Sequence, residues 1–290
     1  MNTGWIRVGS VSAALLFAVT TAAHSQAGEG GVPSYPLGPL KTSGQAVGPM
    51  FEGWYRNPDG TYTLSFGYYN PNTEEVVEVP IGPDNFIEPA EFNGMQPTHF
   101  PPVSYGGYDG RRERGVFAIT VPADFAGKDV WWTVRSNGRT ERVPGRVTSV
   151  AYELSLQAMA MGSLPPSVWF EPGKKGSGPA GIVAEKTITA KVGVPVELTV
   201  FAADDRSERT SEPVPLGVTW TKHQGAGQVQ FGSARGTIPV GSDRASTTAV
   251  FSQPGEYMIR VRVDNFRAID SAPGDQCCWT NGYLRVNVTQ

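Results

Sequence analysis

An all-β architecture, two antiparallel β-sandwich domains in tandem, is what this 290-residue sequence predicts. Three observations point there. Glycine and proline are abundant, 35 and 24 residues, and spread along the chain, so turns punctuate it throughout. Apolar and polar residues alternate at a period of two over short runs, the mark of a strand with one buried face. Few stretches carry a helical period, and the length suits two domains at about 100–200 residues each.

The chain opens with one cation, Arg7, the apolar small-residue run Val8–Val19, and then Ala23 and Ser25 at the −3 and −1 positions of a cleavage site. That is the layout of a signal peptide, residues 1–25, cut before Gln26. The apolar run is well short of the ~20 residues that a membrane span needs. No cysteine follows it, which argues against a lipid anchor. An exported chain of 290 − 25 = 265 residues, periplasmic, outer-surface or secreted, is the expectation. Gln26–Gln45 reads as an extended lead-in, rich in Gly, Pro and Ser. The formal net charge of −3, from 24 basic and 27 acidic residues without a basic stripe, argues against nucleic acid as a partner.

The first domain is expected over residues 46–160. Strands Met50–Arg56 and Tyr62–Tyr69 flank Asn57-Pro58-Asp59-Gly60, a turn set by the proline φ and by a glycine free to take positive φ. Tyr62, Leu64, Phe66 and Tyr68 share one face of a half-buried hairpin strand. Glu75–Ile81 reads as a third strand. The stretch from Asn85 to Arg114, about 30 residues without period, is long for a loop and is either functional or hides an element. Strands resume at Gly115–Pro122 and Val130–Ser136, the latter running into the hairpin signal Asn137-Gly138. A last strand is placed near Ser149–Leu156. The segments "FEGWYRNPDGTYTLSFGYYN", "VEVPIGPDNFIEP" and "GVFAITVPADF" are similar to uncharacterised secreted bacterial proteins, a resemblance that implies no function.

A shift in composition at Ala158–Pro166 marks the boundary, and a second domain is expected over residues 165–290. Its strands are Val168–Phe170, Thr187–Ala190, Pro195–Ala203, Val218–Thr221, Thr247–Phe251, Pro254–Asp264 and Tyr283–Val288. Here "VTWTKHQGAGQVQF" is followed by "TTAVFSQPGEYMIRVRVDN". A tryptophan strand, a Gly-rich turn and an A-x-F-x-x-P-G-x-Y-x-x-R strand pair ending in Asp resemble the PKD-type and related immunoglobulin-like domains of bacterial secreted proteins. The resemblance covers about Lys191 to Val288 and implies an immunoglobulin-like sandwich. It implies almost nothing about chemistry.

Candidate chemistry is sparse. Only His99 and His223 survive signal cleavage, and they lie in different domains, against a zinc site of clustered ligands. No Gly-x-Ser-x-Gly elbow or His-Glu-x-x-His occurs. No metal or cofactor is therefore expected, although Asp204, Asp205, Asp264, Asp270 and Asp275 supply loop oxygens of the kind that hold Ca²⁺. Glu52, Glu74, Glu75, Glu78, Glu88 and Glu91 cluster in the first domain. They read as solvated strand faces and turns, the alternative being a hydrolase pair acting on an envelope or extracellular polymer. Trp131 and Trp132 are adjacent, so one points inward and the other outward. Phe86, Phe100, Tyr105 and Tyr108 in the long loop, with Trp279 near the C terminus, are the candidate ligand-binding residues. Cys277 and Cys278 are the only cysteines. Export favours a vicinal disulfide, the alternatives being two thiols or bonds to another chain. Such a bond would make Gln276–Gly282 a rigid turn presenting Trp279, and its loss would cost about 1 kcal/mol or less because the closed loop is minimal. The reading is of an exported non-catalytic binding or structural module, with a polysaccharide or an envelope protein as partner.

Overall fold

Two separate hydrophobic cores organise the chain, one gathered from Val47 to Val147 and the other from Val168 to Val288. The computed structural model describes residues 41–103, 111–155, 162–205, 213–268, 270–271 and 277–290. The expected signal peptide, residues 1–25, and most of the expected lead-in lie outside the described residues. No α-helix occurs among the described residues, which form strands joined by turns and three short 3₁₀ segments. The fold is all-β, as the alternation implies.

The first core is enclosed by β1 (Gly48–Arg56), β2 (Tyr62–Tyr69), β3 (Val77–Glu78), β4 (Asn85–Glu88), β5 (His99–Phe100), β6 (Arg112–Val121), β7 (Asp129–Ser136) and β8 (Arg139–Arg146). One sheet runs β1-β2-β6, a second runs β4-β7-β8, and β3 pairs with β5. The two hairpin turns have the predicted chemistry. Gly60 takes φ 87° while Asn57 N–H donates to Thr61 O at 2.8 Å. Asn137 and Gly138, at φ 45° and 74°, form the two-residue turn between β7 and β8. Trp132 is fully buried, with Phe117 at 4.9 Å and Phe66 at 6.2 Å edge-on. Its indole N–H donates to Asn85 Oδ1 at 3.0 Å, which satisfies the one polar atom the ring carries inward. Its neighbour Trp131 faces outward and is partly exposed.

Three local expectations change. β2 is buried on both faces, with Thr63 and Ser65 at 1% and 0% exposure, because the second sandwich covers the face that would otherwise meet water. Over its described residues, 149–155, the expected strand Ser149–Leu156 does not form. Val150–Tyr152 forms a 3₁₀ turn, and the chain touches β1 through Leu154 N–H to Trp54 O at 2.7 Å and a single Trp54–Glu153 bridge. It packs straight onto Gly53 at φ 145°, where a Cβ would meet Tyr152 O at 2.5 Å. The stretch after Asn85 does contain elements, β4, β5 and a 3₁₀ turn at Ala90–Phe92.

The second core is enclosed by β9 (Ser167–Trp169), β10 (Ile182–Val183), β11 (Ile188–Lys191), β12 (Val196–Ala203), β13 (Leu216–Gln224), β14 (Val229–Phe231), β15 (Arg235–Ile238), β16 (Arg244–Phe251), β17 (Gly255–Asp264) and β18 (Trp279–Thr289). One sheet has the order β14-β16-β12-β9. The other runs β10-β18-β17-β13-β15, with β11 also on β18, and both β10 and β11 lie parallel to β18. Taking β9, β12, β13, β14, β16, β17 and β18 as strands A to G, these are the ABED and CFG sheets of an immunoglobulin-like sandwich. Trp220 on β13 is 3% exposed. Leu198 and Val200 of β12 and Ile259 and Val261 of β17, all 0% exposed, fill the centre of the core. At the start of β17, Tyr257 donates its hydroxyl to Gln253 O at 2.9 Å, the tyrosine corner of such domains.

Candidate functional site: a polar seam between the sandwiches

The outward residues of β17 and β18 follow from period two and from their register, which sets Arg260 opposite Tyr283, Arg262 opposite Asn281 and Asp264 opposite Trp279. In a lone domain this face would meet solvent. Here it packs on β6 of the first sandwich. Glu113 Oε1 accepts from Arg260 Nη1 at 2.9 Å and from Arg262 Nη1 at 3.0 Å. Arg260 Nε donates to Asn281 Oδ1 at 2.9 Å. Asn281 Nδ2 in turn donates to Gly115 O at 2.6 Å and Pro179 O at 2.9 Å. The Tyr283 hydroxyl donates to Val116 O at 2.7 Å. Side chains of the second sandwich thus occupy carbonyls along an edge strand of the first, where strand addition would otherwise be invited. Burial raises the Tyr283 phenol well above its usual pKa, so it stays a donor.

A second patch joins β13 to the segment between β4 and β5. His223 Nε2 faces Met95 O at 2.8 Å, and because a carbonyl only accepts, Nε2 carries the proton. Thr98 N–H donates to His223 O at 2.9 Å, and Gln224 Nε2 donates to Gly94 O and Gln96 O, each at 2.8 Å. Burial pushes His223 down to about 3, with nearby Arg260 and His99 adding to the effect against the Met95 hydrogen bond. At the rim, Lys222 Nζ donates to Glu78 Oε1 at 2.8 Å and His99 Nδ1 meets the same oxygen at 2.6 Å. Burial acts to raise the Glu78 carboxyl, but hydrogen bonds from His99 and Lys222 outweigh it and hold the group below its usual value.

The disulfide Cys277–Cys278 is formed, with Cα atoms 3.7 Å apart. It is buried, Cys278 at φ 82°, and Cys278 O accepts from Asn265 N–H at 3.0 Å. Trp279 does not project from that turn. It begins β18, is 2% exposed, and lays its ring over Gly115, where a Cβ would come within 2.6 Å of Cζ2. Burial likewise removes Phe100 from any ligand-facing surface. It is 0% exposed and packs edge-on against Tyr68 at 5.2 Å, because β5 turns it inward. Tyr105 and Tyr108 lie outside the described residues. Phe86 remains partly exposed on the outer face of β4-β7-β8, with the Arg135 guanidinium 5.4 Å from its ring. On the same face the Arg142 guanidinium lies 4.1 Å from Trp131.

Four of the six candidate first-domain glutamates, Glu52, Glu75, Glu78 and Glu88, are engaged by the chain itself. Glu52, with its side chain 0% exposed, pairs with Arg112 at 2.6 Å and Arg114 at 3.5 Å. Glu75 accepts from Gly44 N–H and Asn137, and Glu88 from Arg142. Among the described residues no group of three His, Cys, Asp or Glu is placed to hold a metal ion. Sequence reasoning missed the seam, although Arg260-x-Arg262 and Trp279-x-Asn281-x-Tyr283 put large amphipathic side chains where a solvated strand face would carry small polar ones.

No family model matches the chain, and no curated protein does. Among solved structures, the D00-D0 domain of intimin is similar over 84% of this chain and 100% of its own, at 11% identity and a TM-score of 0.27. Domains 4 and 5 of the S-layer protein SbsC align over 56% of this chain and 65% of theirs, at 10% identity and 0.24. WR4, a C. elegans MSP family member, aligns over 35% of this chain and 92% of its own, at 8% identity and 0.24. Such scores carry no argument about function, and the immunoglobulin-like assignment rests on the strand order and the tyrosine corner.

Proposed function

We propose that the chain is an exported, non-catalytic binding or structural module of the cell envelope or extracellular space, in which the two sandwiches act as one rigid body. The observation that carries this reading is the seam. Arg260 and His223 would be costly to bury singly, and they are buried across the two cores, Arg260 with the half-buried Glu113 as its partner, so the mutual orientation is held by groups that need one another. A fixed tandem suits a spacer or a recognition surface, whereas polymer hydrolysis requires acids converging on a cleft. The engagement of Glu52, Glu78 and Glu88 by cations also favours binding. The signal-like N terminus and the disulfide favour export, and the PKD-type character of the second sandwich belongs to the same reading. The partner is a polysaccharide or an envelope protein.

The test combines three measurements on the full-length chain in a bacterial host. Fractionation should place the mature chain, beginning at Gln26, outside the cytoplasm. A polymer-hydrolysis screen should be blank, and immobilised mature protein should retain an envelope component. Retention in the cytoplasm, or hydrolysis lost on Glu52→Gln or Glu78→Gln, would overturn the proposal.

A further inference from the structure

We infer that the outer face of sheet β4-β7-β8 binds an acidic polysaccharide, one whose sugar rings carry carboxylates. The inference rests on the module reading above and names its ligand class. On β7, Trp131, Thr133 and Arg135 point outward, and the register places Phe86 and Arg142 on either side of Thr133. Each arginine lies on an aromatic ring of the same face, Arg142 4.1 Å from Trp131 and Arg135 5.4 Å from Phe86. Their side chains remain 45% and 44% exposed. A guanidinium resting on a ring is already ordered, so it loses little freedom when its remaining N–H groups take a carboxylate in the bidentate manner. Between them the Thr133 hydroxyl is buried, at 2% residue exposure, and has no hydrogen-bond partner. A sugar hydroxyl entering between Phe86 and Arg142 would supply one.

Charge favours an anion here and not over the chain as a whole. Residues 84–88 and 128–146, which supply the sheet and its approaches, hold Lys128, Arg135, Arg139, Arg142 and Arg146 against Asp84, Glu88, Asp129 and Glu141, which is 5 − 4 = +1 in a protein of net charge −3. The aromatic rings suit the C–H faces of sugars, and the arginines suit charges spaced one per residue or more sparsely. A nucleic acid, with one charge per ~1.7 Å of duplex, is met by a longer uncompensated basic stripe. Arg142 and Arg135 already have Glu88 and Asp84 at 3.1 Å and 3.9 Å, exposed pairs that contribute little, so an incoming carboxylate can take over the guanidiniums.

The test is affinity electrophoresis of the mature chain through gels containing polygalacturonate or dextran, with a mobility-shift assay on duplex DNA. Polygalacturonate should retard the protein, dextran should not, and the retardation should weaken with salt. Arg135→Gln/Arg142→Gln should lower the affinity about tenfold or more, two charge-assisted contacts being lost. Trp131→Ala should lower it as well, whereas Arg244→Gln on the second sandwich should not. Unaltered melting curves show that the variants fold. No retardation by polygalacturonate, or retardation unchanged in the double variant, would overturn the inference. Equal retardation by dextran would overturn the acidic class, and a DNA shift lost in the double variant would replace the glycan by a polyphosphate. If the envelope pull-down retains a protein while no glycan binds, this inference fails and the module reading stands.

Discussion

Removing Glu113 should uncouple the two sandwiches. One carboxylate oxygen serves Arg260 and Arg262 at 2.9 and 3.0 Å, and the three side chains are only 5%, 12% and 14% exposed for Arg260, Arg262 and Glu113. Glu113→Ala therefore leaves two guanidiniums facing each other with their shared counter-charge gone. Breaking a buried pair by deleting one partner costs about 3–5 kcal/mol. Arg260 keeps Asn281 and Arg262 keeps Asp264, so the lower end, about 3 kcal/mol, is the expected value. At roughly 2–4 °C per kcal/mol for a body of this size, Tm falls by about 6–12 °C. Differential scanning calorimetry should give one transition for the wild type, because the seam couples both cores, and two for the variant. Glu113→Gln retains an acceptor without the charge and should lose about half as much. Wild-type protein melting in two steps, or Glu113→Ala within about 0.5 kcal/mol of it, would refute the reasoning, since that is the range of an uninvolved surface position.

The seam should also loosen with acid. His223 is held neutral down to about 3 against an ordinary 6.5, so between those values the unfolded chain binds the extra proton. Stability is then complete above pH 6.5 and declines below it, at about 1.4 kcal/mol per pH unit for this group. Glu78, whose pKa is lowered, adds a loss of the same sign below its ordinary 4.5, while Asp264, raised chiefly by burial, acts in the opposite sense. Chemical denaturation of His223→Gln across this range should show a flatter profile above pH 4.5 than the wild type. Gly115→Ala meets Trp279 Cζ2 at 2.6 Å and must hold φ 51°, so a loss of about 2–3 kcal/mol is expected, with faster amide exchange at Tyr283. Intact non-reduced mass should be two hydrogens below the dithiol value. Because the bond is buried, Cys277→Ser/Cys278→Ser should cost about 2 kcal/mol and the Ala pair about 1, the difference measuring two buried hydroxyls.

Much of the fold was legible because long strands with one apolar face advertise themselves. Tyr62–Tyr69 has the expected bounds, and Asn137-Gly138 closes its hairpin with both residues at positive φ. The short strands were not legible. β5 and β14 are two and three residues long, too few to display a period, and their neighbours determine them, while of the expected strand Glu75–Ile81 only Val77–Glu78 pairs, as β3. Ser149–Leu156 had the alternation, but its described part meets β1 only through a single bridge and the Leu154–Trp54 hydrogen bond, packed on Gly53, and forms no ladder there. The vicinal disulfide was legible from chemistry alone, because two cysteines, adjacent and without others in the chain, have few other pairings once a signal-like N terminus suggests oxidising surroundings. Its surroundings were not, and the minimal-loop argument for a cost of about 1 kcal/mol took no account of burial.

The candidate site shows where sequence reasoning divides. Aromatics and arginines mark interfaces in general, and nothing in a strand's period says whether the partner is another molecule or the rest of the same chain. Trp279, Tyr283, Arg260 and Arg262 have the composition of a recognition face, and the chain spends them on itself. Phe86, Trp131, Arg135 and Arg142 have the same composition on a face that the other sandwich leaves open. What separates the two sets is accessibility: the seam arginines keep 5% and 12% of their side-chain surface, the outer pair 44% and 45%. The first set is held by backbone carbonyls and one carboxylate that no competitor can reach, so it fixes orientation. The second set spends only part of its donors, Arg142 on Glu88 and Arg135 on Pro83 O, and holds its guanidiniums on ordered rings within reach of solvent, which is what the proposed ligand surface requires.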